Sequence, residues 1–206
     1  MKSIRDVGSM FSEHLDTVSI NLIENDDGRT ESQMSEVLIT ESLEDKFGDV
    51  VEFLPKNHNR SFGDIDIKIG NKVYPINIKM VDSTKSSSYN GGGPKVFNYI
   101  LFGEPKDTNW KCLITRITKK FPEKIQKEYF YLIYYKCGNM ATKFISLTDI
   151  HSDSLIANPS NPIQLKKDLK EVRRTEKEKV SFLMNFLMEI HEKRATPYLM
   201  LKELVW

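Results

Sequence analysis

Cysteine is nearly absent from this chain: only Cys112 and Cys137 occur, far apart and each in an apolar setting. That count excludes a disulfide-stapled secreted scaffold, and neither residue has the paired spacing of a zinc site, so both read as reduced core thiols in a cytosolic protein. Histidine is equally sparse. His14, His58, His151 and His191 are scattered with no HExxH or other paired pattern, so neither a histidine-ligated metal nor a catalytic triad is expected. No run of about 18 apolar residues occurs, which leaves nothing to span a bilayer. Met1-Lys2-Ser3-Ile4-Arg5-Asp6 leads into no apolar stretch, so a cytoplasmic location is expected rather than export. Gly91-Gly92-Gly93 lacks the Lys-Ser/Thr and the helix start of a nucleotide loop. Internal repeats and low-complexity segments are absent too. An excess of one charge sign is also missing, since 30 Lys and Arg stand against 29 Asp and Glu for a formal net charge of +1. A sum near zero does not exclude a polyanionic partner, because affinity comes from positive charge clustered on one surface.

The charges that are there are unevenly placed. Residues 24–52 carry Glu24, Asp26, Asp27, Glu31, Glu36, Glu41, Glu44, Asp45, Asp49 and Glu52, whereas Arg116, Lys119, Lys120 and Lys124 cluster with few acids between them. A molecule with an acidic side and a basic side would orient on DNA. The length of 206 residues suits one domain, 1–206, with a core over about 30–150 and a C-terminal helical part over about 163–206. Residues 31–47 read as a helix, and Val50 to Leu54 as a strand running into a polar loop. Val96–Phe102, Lys111–Ile117, Tyr129–Lys136 and Thr142–Leu147 read as strands, broken by Gly103-Glu104-Pro105, Phe121-Pro122 and Gly138-Asn139. Residues 150–162 read as a loop. Ile163–Glu192 reads as two helices or one bent helix; its lysine-rich first half has acidic partners three and four residues away, and its stripe Phe182, Leu183, Phe186, Leu187 and Ile190 reads as core or dimer interface. The fold class expected is α/β of the α+β kind: a central mixed sheet of five to six strands flanked by helices, with C-terminal helices.

The chemistry concentrates between Gly63 and Met80. Ile65, Ile67 and Ile69 alternate with Asp64, Asp66 and Lys68; Ile76, Ile78 and Met80 alternate with Asn77 and Lys79. Gly70-Asn71 between the runs is a two-residue turn signal, so the strands fold back antiparallel and Asp64, Asp66, Asn77 and Lys79 converge on one polar face. A carboxylate and a second oxygen ligand can hold Mg²⁺, and a nearby ammonium can act on a water or on developing negative charge, which suits a phosphodiester substrate. An ordinary solvated hairpin face would show the same alternation.

At these residues the sequence resembles the PD-(D/E)xK nucleases, and within them the type II restriction endonucleases of the EcoRV kind. Gly63-Asp64 stands where the family has Pro-Asp, and Ile76-Asn77-Ile78-Lys79 where it has an apolar residue, an acid, any residue and Lys. The spacing of thirteen residues from Asp64 to Asn77 is within the family's range. The resemblance covers roughly residues 30–103 and includes the order helix, strand, polar loop, Asp64. It implies a restriction-endonuclease-like fold, Mg²⁺, double-stranded DNA as substrate and a homodimer. It implies Asp64, Asn77, Lys79 and Glu36 as catalytic residues, with Asp64, Asn77, Glu36 and Asp66 toward the metal. Glu36 matches the family's acid on an upstream helix; its spacing to Ile39, Leu43 and Phe47 sets it on the inward face, or at the edge of that stripe where it reaches water.

Lys85, Ser86, Ser87, Ser88, Asn90, Gly91, Gly92 and Lys95 resemble the glycine-containing recognition loop that follows the catalytic Lys, where Ser, Asn and Lys side chains would reach base edges and phosphates. Arg116, Lys119 and Lys120 join them as DNA-binding candidates. Asn77 departs from the family, since a neutral amide replaces an anionic ligand. Three accounts stay open: a natural variant, an inactivating substitution, or a charge supplied by Asp66 or Glu36. So do three functions: a Mg²⁺-dependent restriction endonuclease, a DNA-binding protein with a decayed site, and a repair nickase or junction resolvase.

Overall fold

In the computed structural model of the protein the described residues are 2–18, 20, 28–55, 62–81, 88–104, 108–136 and 140–205, the side chains of 28–32, 198 and 201–205 excepted. The expectations for Glu24, Asp26, Asp27, His58, Lys85, Ser86, Ser87, Cys137 and the Gly138-Asn139 break concern residues outside that set. In chain order the elements are α1 (Ile4–Thr17), α2 (Gly28–Phe47), β1 (Glu52–Leu54), β2 (Ile65–Ile69), β3 (Lys72–Val81), β4 (Ser88–Gly92), α3 (Pro94–Phe102), α4 (Trp110–Lys119), β5 (Phe130–Tyr135), β6 (Lys143–Ser146), β7 (Leu155–Ala157), β8 (Ile163–Lys166) and α5 (Glu176–Val205). The fold is α+β, and the chain forms two compact units, residues 1–85 with 130–146 and residues 86–129 with 147–206.

The first unit is built on a five-stranded sheet in the order β1-β2-β3-β5-β6. Its strands are antiparallel except for β3 and β5, which run parallel. The hairpin forms as the alternation requires: Ile69 pairs with Lys72 across Gly70-Asn71, and Gly70 has a φ of 59°, a conformation glycine adopts without strain. Ile65, Ile67, Ile76, Ile78, Phe130 and Leu132 form one cluster with the inner faces of α1 and α2. Burial of each such side chain is worth about 1.5–3 kcal/mol. The helix expected over 31–47 is α2, where Ile39 and Leu43 are fully buried. α1 was not anticipated, although Ile4, Val7, Phe11 and Leu15 recur at helical spacing and Ser3 with Asp6 forms a reciprocal cap. Gly8 of α1 lies against the Phe144 ring, in space that a Cβ would occupy.

The second unit departs most from expectation. Val96–Phe102 and Lys111–Ile117, read as strands, are helices α3 and α4. Pro94 supplies a helix-ready φ at the first turn of α3, and Gly103 ends it in the left-handed conformation with its N–H on the Tyr99 carbonyl. In α4 the Asn109 side chain accepts from the Cys112 N–H, and Leu113 and Ile117, four apart, bury one face. Cys112, expected in the core, falls on the opposite face of this helix and is exposed. Short apolar runs rich in Ile and Tyr carry both patterns, and here the caps decide. Two further readings are corrected. Ile163–Lys166, expected to open a helix, is the central strand of a three-stranded sheet ordered β4-β8-β7, and the 150–162 loop contains β7. The helix begins only at Glu176, behind a cap in which Thr175 and Glu178 bond reciprocally. It continues unbroken through Pro197 to Val205 as a single helix. Its stripe is core: Leu183, Phe186, Leu187 and Ile190 are buried, and Phe186 stacks on Phe97. Among the described residues no helix is long and apolar enough to cross a membrane.

Candidate functional site

Asp64 sits just before β2, at a point where the hairpin ladder becomes irregular. Ile65 is the residue in register with Ile76, yet the Asp64 N–H also donates to the Ile76 carbonyl at 2.8 Å, the two-against-one arrangement of a bulge. The reason is Gly63. Its position is so close to β3 that a Cβ there would lie 2.8 Å from the backbone nitrogen and oxygen of Ile76. The Asp64 carboxylate then takes the next ladder position, accepting the Ile78 N–H at 2.8 Å. That N–H belongs to the peptide joining Asn77 to Ile78, so the carboxylate and Asn77 are neighbours. Gly63→Ala is therefore expected to destabilise the protein by about 1–3 kcal/mol, read as a lowered urea midpoint. It is expected to weaken any activity that depends on Asp64 beyond what the stability loss explains.

Asn77 and Lys79 alternate with the buried Ile76 and Ile78 and so project from the opposite face of β3. Both are half-buried. Asp66, in register with Pro75, keeps the regular alternation. Asp64 does not: the bulge takes it out of the simple polar stripe expected for all four residues. The hairpin also lies inside the sheet, with β3 third of five strands. The Asn77 Oδ1 is buried and has no hydrogen-bond partner among the described residues.

α2 approaches this place with residues other than the one expected. A cleft of about 310 Å³ is lined by Asp64 and Ile65, by Phe53, Leu54 and Pro55, and by Val37, Thr40, Glu41 and Glu44. The acids of α2 that share the cleft with Asp64 are thus Glu41 and Glu44. Glu36 is half-buried, its carbonyl accepting the Thr40 hydroxyl, and it is not among the lining residues. The signal was present as Val37, Thr40, Glu41 and Glu44 at intervals of three and four, a second stripe beside Ile39 and Leu43.

The described nucleic-acid candidates, from Ser88 on, fall in the other unit. Ser88, Asn90, Gly91 and Gly92, expected as a recognition loop, form β4, paired with β8 through Ser88 and Lys166. The register slips between Asn90 and Gly92; the Asn90 Oδ1 accepts the Gly92 N–H, and Gly92 has a φ of 117°. Asn90 remains exposed, Gly91 is buried, and Lys95 lies half-buried in the first turn of α3. The cause is the alternation of Tyr89 with its neighbours opposite Leu165, which a glycine-rich reading conceals. Arg116 is also engaged: both guanidinium nitrogens bond the Glu104 carboxylate at 3.0 and 3.1 Å, one also bonds Asn98, and the group lies 4.2 Å from the Phe102 ring centre. That is a structural role. Lys119 and Lys120 are exposed.

The candidate oxygen donors for a hard divalent ion are the Asp64 carboxylate, bonded to the Ile78 N–H, and the Asn77 Oδ1, buried with no hydrogen-bond partner among the described residues. Among the described residues no group of three His, Cys, Asp or Glu is arranged to hold a metal ion. No protein-family model matches this chain, and no curated protein does either.

Proposed function

We propose that this chain is a Mg²⁺-dependent endonuclease acting on double-stranded DNA, similar to the type II restriction endonucleases of the PD-(D/E)xK nucleases. One observation supports the reading: the Asp64 carboxylate accepts the N–H of the Asn77–Ile78 peptide, and the side-chain oxygen of that same Asn77 is buried with no partner among the described residues. Lys79 follows two residues on, on the same face as Asn77. Asp64 and Asn77 would hold the metal, which when bound supplies charge neutralisation at the scissile phosphate. Asp64, locked by the Ile78 N–H, is fixed in orientation. Lys79 bears a cationic nitrogen that orients the attacking water and stabilises negative charge as it develops on phosphate oxygens. A homodimer with one site per strand would cut a palindrome symmetrically.

The neutral amide favours a second reading, a DNA-binding protein on this fold whose catalysis has decayed, or a weak nickase. Incubation of supercoiled plasmid with Mg²⁺ decides between them. Discrete fragments support restriction, random nicks support repair, and no cleavage with retained binding supports decay. Asn77→Asp is expected to raise cleavage at low Mg²⁺, because an anionic ligand replaces a neutral one. Unchanged or lower activity would show that another carboxylate, Asp66 or Glu36 among those expected, already completes the charge.

A further inference from the structure

The segment from α4 through the chain that follows it is the most lopsided in charge. Between Trp110 and Lys127 lie Lys111, Arg116, Lys119, Lys120, Lys124 and Lys127, against the single acid Glu123, in a chain whose net charge is +1. Arg116 is neutralised by Glu104. The five lysines are all exposed. Lys111 and Lys119 stand two turns apart on the outward face of α4, roughly 12 Å along its axis, with Thr115 between them. The rest of the segment is held in place, since the Gln126 and Lys127 N–H groups both donate to the Ile100 carbonyl and Pro122 and Ile125 are buried. Among these lysines Phe121 is 62% exposed, between Lys120 and the buried Pro122. Its ring adds apolar contact area beside these charges, a combination that matches a ligand offering anionic and apolar surface together.

We infer that α4 and the segment to Lys127 form a docking surface for the backbone of duplex DNA, with the lysines on phosphates and Phe121 as an apolar wedge at the groove. Duplex DNA fits because it presents a regular row of anions beside sugar and base edges, and Thr115 adds a neutral donor suited to phosphate oxygens. The inference rests on the reading of the chain as a duplex-DNA protein, and it adds a surface remote in sequence from Asp64, Asn77 and Lys79.

The test is fluorescence anisotropy of the full chain with a short labelled duplex in EDTA, at a series of KCl concentrations. Changing Lys119, Lys120 and Lys124 together to Gln is expected to flatten the dependence of log K on log salt by about 0.9 for each phosphate no longer neutralised, roughly 2.7 in all. Phe121→Ser is expected to lose about tenfold in affinity with the slope unchanged. Lys170→Gln with Lys177→Gln, exposed lysines elsewhere in the same unit, is the charge control and should leave the slope alone. An unchanged slope in the triple variant, or an equal loss in the control, overturns the inference, as does tighter binding to single strands or to anionic vesicles than to duplex. Plasmid cleavage with Mg²⁺ is scored separately. Cleavage with an unchanged slope removes this surface and leaves the nuclease; binding through the lysines without cleavage does the reverse.

Discussion

Replacing Lys79 by alanine is expected to lower Mg²⁺-dependent cleavage by about 10²- to 10⁴-fold while leaving duplex binding within a fewfold of the parent. The size follows from where the ammonium sits. Lys79 projects from β3 on the face it shares with Asn77, in the part of the strand that pairs with β5 at Ile133, so its backbone position is set by the sheet and not by a loop. A group held this rigidly costs little reorganisation at the moment of reaction, and its loss falls on the transition state more than on the ground state. Single-turnover cleavage rates, with binding measured in Ca²⁺ at fixed salt, read the two quantities apart. Loss of binding equal to the loss of rate would reassign Lys79 to phosphate positioning.

The second large effect separates two roles of one side chain. Asp64→Asn keeps an oxygen that can accept the Ile78 N–H, whereas Asp64→Ala leaves that amide unpaired in a half-buried place. The alanine variant is expected to lose about 1–3 kcal/mol of stability and the asparagine variant much less. Both remove the anionic oxygen bonded to the Ile78 N–H, so both are expected to lose cleavage by two or more orders of magnitude, a drop comparable with removal of one catalytic hydrogen-bond donor. Urea denaturation and plasmid cleavage on the same samples give the comparison. An asparagine variant that cleaves normally would confine Asp64 to the hairpin's architecture.

The hairpin was legible because two independent signals coincide there: period-two alternation over Ile65–Met80 and a turn dipeptide at Gly70-Asn71 that sets the register. Pairing β3 with β5 was not legible, since partners far apart in sequence leave no local trace. The bulge at Asp64 was hidden for another reason. Alternation assumes one residue against one, and Gly63, read as a substitute for proline, is in fact the residue that lets the chain press against Ile76. α3 and α4 show the limit of composition: Tyr99, Ile100, Ile114 and Ile117 favour strands on propensity, and Pro94, Gly103 and the Asn109 cap override it. Arg116 looked like a DNA contact because Glu104 is twelve residues away and sequence does not reveal that they meet.

The parallel pairing of β3 with β5 has a bearing on how the chain reaches this state. The first unit is discontinuous, and residues 86–129, which belong to the second, separate its two parts. During synthesis the β1-β2-β3 meander can form early from neighbouring residues, but the apolar edge of β3 stays open until Phe130–Tyr135 leaves the ribosome. An unpaired central strand bearing Ile76 and Ile78 is a template for association with other chains. Folding is therefore expected to be limited by the arrival of β5 and not by the hairpin, and chains truncated before residue 130 are expected to aggregate.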